Sequence, residues 1–435
     1  MLKIAKFGGS SLANAEQFRK VKHIIELDPL RKVVVVSAAG RRNPQEAKIT
    51  DLLYLLHAHL TYSVPYDPVM KMLEERFCSI QEELGLTFDI KGALKSLKKE
   101  LNKQIPLDYL VSRGEYYTAL MMAEYLGFPF VDAKDLIFFQ YDGTIDYTKT
   151  EQAIKDTFEK YSCFVVPGFY GSYPNGAIRI MSRGGSDITG SIMARALNAT
   201  LYENWTDVSG LLMADPHIIE NPKRIAQVTY EELRELAYMG ANVLHEETIF
   251  PIQDMMIPIV ILNTNDESNP GTIITQKSDD ISQIITGLAG KKHFASFTIT
   301  KRNGASKTKL MREILGLFEN YHINVEHIPS SIDSFSIVVL KSDVEKWLYD
   351  LAGVIKTRDD VKDLTIDQDI ALVAIVGRNM VTRPGISGRI FAVIGNEGIN
   401  IKMIAQGSNE LNIIVGVSNE HFERTIQALY EHLVV

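Results

Sequence analysis

Up to about residue 270, short runs rich in Val, Ile and Phe alternate with stretches whose apolar positions recur every three or four residues. That alternation is expected of strands feeding helices. Residues 2–7 and 32–37 read as the first two strands, and between them Asn14 can cap a helix with Phe18, Val21, Ile24 and Ile25 on one face. A second helix starts at Thr50 and Asp51 with a run of leucines. Residues 67–102 keep the helical period with no strand signal, which suggests a helical insertion on the sheet. Further strands are expected at 163–167, 200–204 and 257–262, with Thr229 and Glu232 spaced as a capping box for a helix between the last two. This order predicts a three-layer α/β domain with a mainly parallel central sheet over residues 1–275. The polar segment 263–280 reads as its end and a linker.

The rest of the chain repeats itself. A shift of 76 positions superposes Arg302-Asn303 on Arg378-Asn379, Ile314 on Ile390, Asn320 on Asn396 and Ile323-Asn324 on Ile399-Asn400 without a gap. Each copy reads as strand, helix, strand, hairpin, strand, helix, the order of a ferredoxin-like βαββαβ unit. The second copy runs out of chain after its last helix, so its sheet must borrow a strand. The apolar run 281–289 is the candidate, which makes the second unit split and the first inserted in it. The expected division is 276–293 for linker and borrowed strand, 294–368 for the inserted unit and 369–435 for the second.

Of 435 residues, 46% are hydrophobic and 23% charged, as in ordinary globular proteins, and the formal net charge is −8. An acidic chain is a poor general binder of nucleic acid or anionic membrane, and anionic substrates would need a locally positive pocket. Cys78 and Cys163 are the only cysteines, in no metal or disulfide spacing. No run approaches the ~20 apolar residues that span a bilayer, so a cytoplasmic protein with reduced thiols is expected.

Two glycine turns stand out. Lys6-Phe7-Gly8-Gly9-Ser10-Ser11 lies between an expected strand and helix, where backbone N–H groups can approach a phosphate and lysine adds a full charge. Alone it is equally a tight connection, since neither GxxxxGK(S/T) nor GxGxxG occurs. Arg183-Gly184-Gly185-Ser186-Asp187 precedes a helix expected at 188–197 and joins a cation to a carboxylate. Here Arg183 could clamp a carboxylate, while Asp187 could hold Lys6 or a metal. A third segment, Thr206-Asp207-Val208 followed by Ala214-Asp215-Pro216, follows a strand, where α/β sheets place ligands. His245-Glu246-Glu247 lacks the second histidine of a zinc motif, and His57 and His59 have no third ligand nearby, so no metal ligand is assigned.

In combination KFGGSS, the VVVSA run ending at Ser37 and Ala38, Arg113-Gly114-Glu115, Gly168-Phe169-Tyr170-Gly171, RGGSD, TDV and ADP resemble the aspartate kinases of the amino-acid kinase family, with a tandem ACT regulatory region. The likeness runs over essentially the whole chain. It implies transfer of a phosphoryl group from ATP, with Mg²⁺, to the side-chain carboxylate of L-aspartate, giving 4-phospho-L-aspartate, the first step toward lysine, threonine and methionine. It further implies that Lys6 contacts the phosphates and stabilises the transition state, that Gly8, Gly9 and Ser10 cradle them, and that Asp187 orients Lys6. Arg183 would pair with the substrate α-carboxylate and Glu115 with its α-ammonium. Ser37, Thr50, Phe169 and Ser186 match other substrate positions, and Thr206 and Asp207 the adenosine end. The ACT repeat implies a homodimer, possibly a tetramer, under feedback control by an amino acid, with Glu326, Ser330 and Ser331 matching the effector positions of lysine-sensitive members.

The pattern has departures. Asn242 replaces a usual lysine, Glu246 a usual proline, Leu212 and His217 a usual tyrosine and arginine, and Lys309 a usual glycine. Lys223 and Arg224 are candidate replacement cations. The alternatives at this point are a catalytically silent amino-acid sensor and a sister kinase acting on another carboxylate.

Overall fold

The computed structural model describes residues 1–182, 184–240, 244, 246–278, 284–378, 380, 383–407 and 411–434, with backbone alone at Glu246. Arg183, Asn242 and the start of the run 281–289 lie outside the described residues. The chain forms two bodies: Met1–Leu211, Arg224–Tyr230 and Asn242–Ser278 in one, and Leu212–Lys223, Glu231–Ala241 and Asp279–Val435 in the other.

The first body opens with β1 (Lys3–Phe7), α1 (Ala15–Leu27) and β2 (Arg31–Val36). Asn14 caps α1 as expected, its side chain accepting from the Gln17 N–H. Helices α2 (Ile49–Thr61), α3 (Asp67–Leu84), α4 (Ile90–Glu100), α5 (Leu107–Leu126) and α6 (Tyr147–Tyr161) follow. Next come β3 (Phe164–Pro167), the hairpin of β4 (Tyr170–Ser172) and β5 (Ile178–Ile180), α7 (Gly185–Ala196), β6 (Leu201–Thr206) and β7 (Gln227–Thr229). After α8 (Tyr230–Tyr238), counted with the second body from Glu231 on, β8 (Ile259–Asn263) and β9 (Thr272–Thr275) complete the first.

Seven strands lie in the order β3-β2-β1-β6-β8-β9-β7, and every pairing but β8 with β9 is parallel. A parallel sheet needs cover on both faces, and Val33 to Val36 in β2 are accordingly all fully buried. One departure concerns residues 263–280: the expected linker contains β9, whose Ile274 is buried while Ile273 is exposed. Its four residues of TIIT sit among Asn, Ser, Asp and Gly, too short to stand out from the polar flanks.

In the second body β10 (Gly287–Lys301), α9 (Lys307–Asn320), β11 (Ser334–Leu340), the short α10 (Lys341–Val344), α11 (Leu348–Lys356) and β12 (Val361–Val376) precede α12 (Ile386–Asn396), β13 (Met403–Gln406), β14 (Asn412–Val417) and α13 (Phe422–Leu433). They make one antiparallel sheet, β11-β10-β12-β14-β13. Strands β10 and β12 are long and serve two units. Gly287 to Lys291 pair with Val376 to Leu372, beside β14, and after a register break Phe294 onward pairs with the first half of β12, beside β11. The break falls at His293, whose φ of 65° lies in the left-handed region. The two units therefore share continuous strands, and the described strand starts at Gly287. Phe297, Ile299, Ile314, Phe318, Ile337 and Leu351 fill the core of the first unit.

Candidate active site

In the first body the carboxyl ends of β1, β2, β3 and β6 converge, with β1 central and its neighbours reached in opposite directions, the arrangement that opens a crevice in an α/β sheet. Gly8-Gly9 follows β1, Ser37 follows β2, Phe169 lies just beyond β3 and Asp207 follows β6. These segments line one cavity of about 770 Å³. Gly8, Gly9, Ser10, Ser37, Thr50, Glu115, Phe169, Ser186, Asp187, Thr206 and Asp207 all border it.

The first glycine turn is held by its backbone. The Gly8 N–H donates to Trp205 O at 2.9 Å, the Ser37 N–H to Phe7 O at 3.1 Å and the Gly40 N–H to Gly9 O at 2.7 Å. The last contact brings two loops so close that a Cβ on Gly40 would lie 2.4 Å from Gly9, so a side chain there would force the loops apart. The second turn ends in Gly184, whose φ of 76° suits glycine, and leads into α7. Gly185, Ser186 and Asp187 thus open a helix into the cavity, where partial positive charge favours anions.

Lys6 is buried next to these turns. Its ammonium is ion-paired with the Asp187 carboxylate and donates to Asn204 Oδ1 at 3.2 Å, while Asn204 Nδ2 donates to Asp187 Oδ1 at 2.9 Å. The pairing of Lys6 with Asp187 is the one that the family resemblance implied. Asn204 was not singled out: the only signal is its place two residues before Thr206, which the register of β1 with β6 sets opposite Lys6.

At another wall Glu115, on α5, is fully buried. It accepts from the Ala38 backbone N–H, yet its Oε2 has no partner among the described residues. Desolvation pushes its pKa up to about 8, with the backbone bonds and Arg113 opposing. Arg113 itself does not border the cavity, and its guanidinium lies over the rings of Tyr109 and Tyr116. Phe169 takes a φ of 78°, a costly conformation for a bulky residue. Its N–H is held by Thr189 Oγ1 at 3.1 Å.

Sequence reasoning also missed the loop carrying Arg41, Arg42 and Lys48, which borders the cavity and makes its rim cationic. Arg76 from α3 anchors that loop, donating to Gly40 O and to Ala47 O, the latter at 3.2 Å, with Glu46 at 3.2 Å. Arg42 pairs with Glu46 at 2.8 Å. Of the cations considered as replacements at Asn242, Arg224 donates to Gly271 O, and Lys223, in the second body, to Val434 O at 3.0 Å. Leu212 and His217 also belong to the second body. Among the described residues no group of three His, Cys, Asp or Glu side chains could hold a metal, and no helix is long and apolar enough to cross a membrane.

Glu326, Ser330 and Ser331 lie in the first unit of the second body, where segment 326–330 runs alongside β11: the Glu326 N–H donates to Val338 O at 2.9 Å and the Ser331 N–H to Ser334 O at 2.8 Å. The Glu326 carboxylate is hydrogen-bonded to Tyr238. A groove of about 900 Å³ beside α9 is lined by Met311, Leu315 and Val325, and these three polar residues are not part of its lining.

A mainly parallel sheet with two glycine turns closing on a lysine–aspartate pair fits a phosphate-handling α/β enzyme, and residues 1–263 match the amino acid kinase family. The chain belongs to that family. Residues 373–433 match the ACT domain. Aspartokinase 3 of Bacillus subtilis is 32% identical over 450 residues, covering 99% of this chain and 98% of that protein. The crystal structure of Clostridium acetobutylicum aspartate kinase superposes with a TM-score of 0.93 at 44% identity over 99% of both chains. Escherichia coli aspartokinase III, solved with aspartate and ADP, shares the fold at a TM-score of 0.78 and 24% identity, over 100% of each chain.

Proposed function

We propose that the protein is an ATP-dependent aspartate kinase that phosphorylates the side-chain carboxylate of L-aspartate, regulated through its ACT units. The observation that carries this reading is the single cavity: the Lys6–Asp187 pair lies beside two glycine turns, and a buried carboxylate, Glu115, whose Oε2 has no partner among the described residues, stands at another wall. A carboxylate nucleophile is already ionised at neutral pH, so the reaction needs no general base, only alignment and neutralisation of the transferring group.

In this reading Gly8, Gly9, Ser10 and the start of α7 cradle the phosphates, Lys6 stabilises the charge that develops on the transferring group, and Asp187 holds Lys6. Thr206 and Asp207 take the adenosine end. Mg²⁺ bound to ATP as part of the co-substrate would supply charge screening of the phosphates, and no protein ligand is assigned to it. Glu115 receives the substrate ammonium, Arg183 its α-carboxylate, and Ser37, Thr50, Phe169 and Ser186 complete the pocket. Catalysis is assigned to 1–275 and regulation to 294–368 and 369–435, in a cytoplasmic homodimer joined through the ACT units. Lysine is the proposed effector, at Glu326, Ser330 and Ser331.

Purified protein with Mg·ATP, hydroxylamine and either aspartate or glutamate tests the reaction, because an acyl phosphate is trapped as its hydroxamate. Hydroxamate is expected from aspartate, and less of it when lysine is added. Product from glutamate alone would sink the reading.

A further inference from the structure

Among the polar side chains around Lys6, one has no assigned part in the reaction. Asn204 is buried on β6 directly opposite Lys6 in the parallel register, so both side chains rise from the same face of the sheet toward α7. The groups facing it are Lys6 from β1 and Asp187 from α7, while β8 sets the uncharged Ile261 opposite it. An amide can accept and donate at once without carrying charge. Here its oxygen meets the ammonium and its NH₂ the carboxylate, the orientation those partners require. Both bonds are charge-assisted and therefore strong.

The geometry points to Asn204 as the positioning residue for Lys6 in phosphoryl transfer, an inference that rests on the kinase reading. An ammonium has three N–H bonds. Asp187 and Asn204 engage two, which fixes the third toward the glycine turn, where even a Cβ on Gly8 would come within 3.7 Å of Nζ. With Asp187 alone the ammonium could settle onto the carboxylate and turn away from the phosphates. Aspartate in place of Asn204 would set two carboxylates against one ammonium, and leucine would remove both hydrogen bonds at similar volume. Because the aligned N–H acts on charge that appears in the transition state, its loss should lower kcat more than it raises KM.

The test compares wild type, Lys6→Ala, N204L and N204D. For N204L, kcat is expected to fall about 10- to 100-fold with KM for aspartate and ATP within about threefold. N204D should be similarly impaired at pH 8 but recover relative to wild type as the pH is lowered to 6. A protonated carboxyl reproduces the acceptor and donor of the amide, and two facing carboxylates favour holding one proton. Acetylation of Lys6 by acetic anhydride, followed by mass spectrometry, reads the same hold without turnover and should be several-fold faster in N204L. If wild type makes no aspartyl hydroxamate, the kinase reading fails and the labelling rates still decide the role of Asn204. If Lys6→Ala is inactive while N204L keeps kcat within about twofold and labels like wild type, the role assigned to Asn204 is overturned.

Discussion

At one end of the cavity Lys6 already has Asp187 and Asn204 as partners, whereas at the other Glu115 is just as deeply buried and its Oε2 has none among the described residues. The difference matches the work each end is asked to do. A cation that must stabilise charge appearing for an instant has to be in place beforehand, because reorganising it at that moment would raise the barrier. A group that recognises a charged substrate gains most if its own charge is uncompensated until the substrate arrives, and burial alone then holds it as the neutral acid.

The largest expected effect comes from breaking the organised end. Lys6→Ala should lower kcat by about a thousandfold, the scale seen when one preorganised electrostatic group is removed. The KM for aspartate should change little. Asp187 would then face Asn204 without its cation, so some loss of thermal stability is also expected. Steady-state kinetics with the hydroxamate assay check the split: a rise in aspartate KM with kcat preserved would show that Lys6 binds substrate and that the two ends are not distinct.

Glu115→Gln should act in the opposite sense, raising the aspartate KM about a hundredfold, in line with the loss of one partner of a buried ion pair, while leaving kcat at saturation within a few-fold. Its pH signature is also specific. Between the unfolded value of 4.5 and the folded value of about 8, the native state keeps a proton that the unfolded chain has lost. Stability in the absence of substrate is therefore fully present below 4.5 and is lost as pH rises through about 8, by at most about 1.4 kcal/mol per pH unit from this group. Glu115→Gln should flatten that part of the melting-temperature profile. In wild type, aspartate affinity should improve as pH rises toward 8, with a proton released on binding below it. Calorimetry in buffers of different ionisation enthalpy measures that proton, and its absence would mean Glu115 stays neutral in the complex.

How far this contrast could be read from the chain depends on the range of the interactions involved. The glycine turns, the Asn14 cap and the helical stretch 67–102 are local, set by residues within one turn of each other. The family resemblance, rather than any spacing, joined Lys6, Asp187 and Glu115 in one site. Asn204 was invisible because its meaning comes from a partner 198 positions away, brought opposite by the pairing of β1 with β6. The burial of Glu115 was equally hidden, since a glutamate in a helix reads as solvated until the surrounding packing is known. In the second body the repeat was plain, but the sharing of β10 and β12 by both units depends on a register break at His293 that no residue pattern announced.

The smallest effect is expected between the two ends, in the loop that carries Arg41, Arg42 and Lys48 along the rim. Arg76 is largely buried and bonds to Gly40 O and Ala47 O, with Glu46 as its counter-ion. Arg76→Met keeps much of the side-chain bulk but leaves two carbonyls without their donor and Glu46 with Arg42 alone, for about 1–3 kcal/mol of stability. Gly40 is packed against Gly9, so a loosened loop should disturb the phosphate turn and the aspartate pocket together. The expected result is a fall in kcat/KM of less than tenfold, shared evenly between aspartate and ATP, with urea unfolding reporting the stability loss. A penalty confined to ATP would tie the loop to the phosphate end alone, and one confined to aspartate would tie it to Glu115; either outcome would redraw the boundary between the organised and the waiting parts of the cavity.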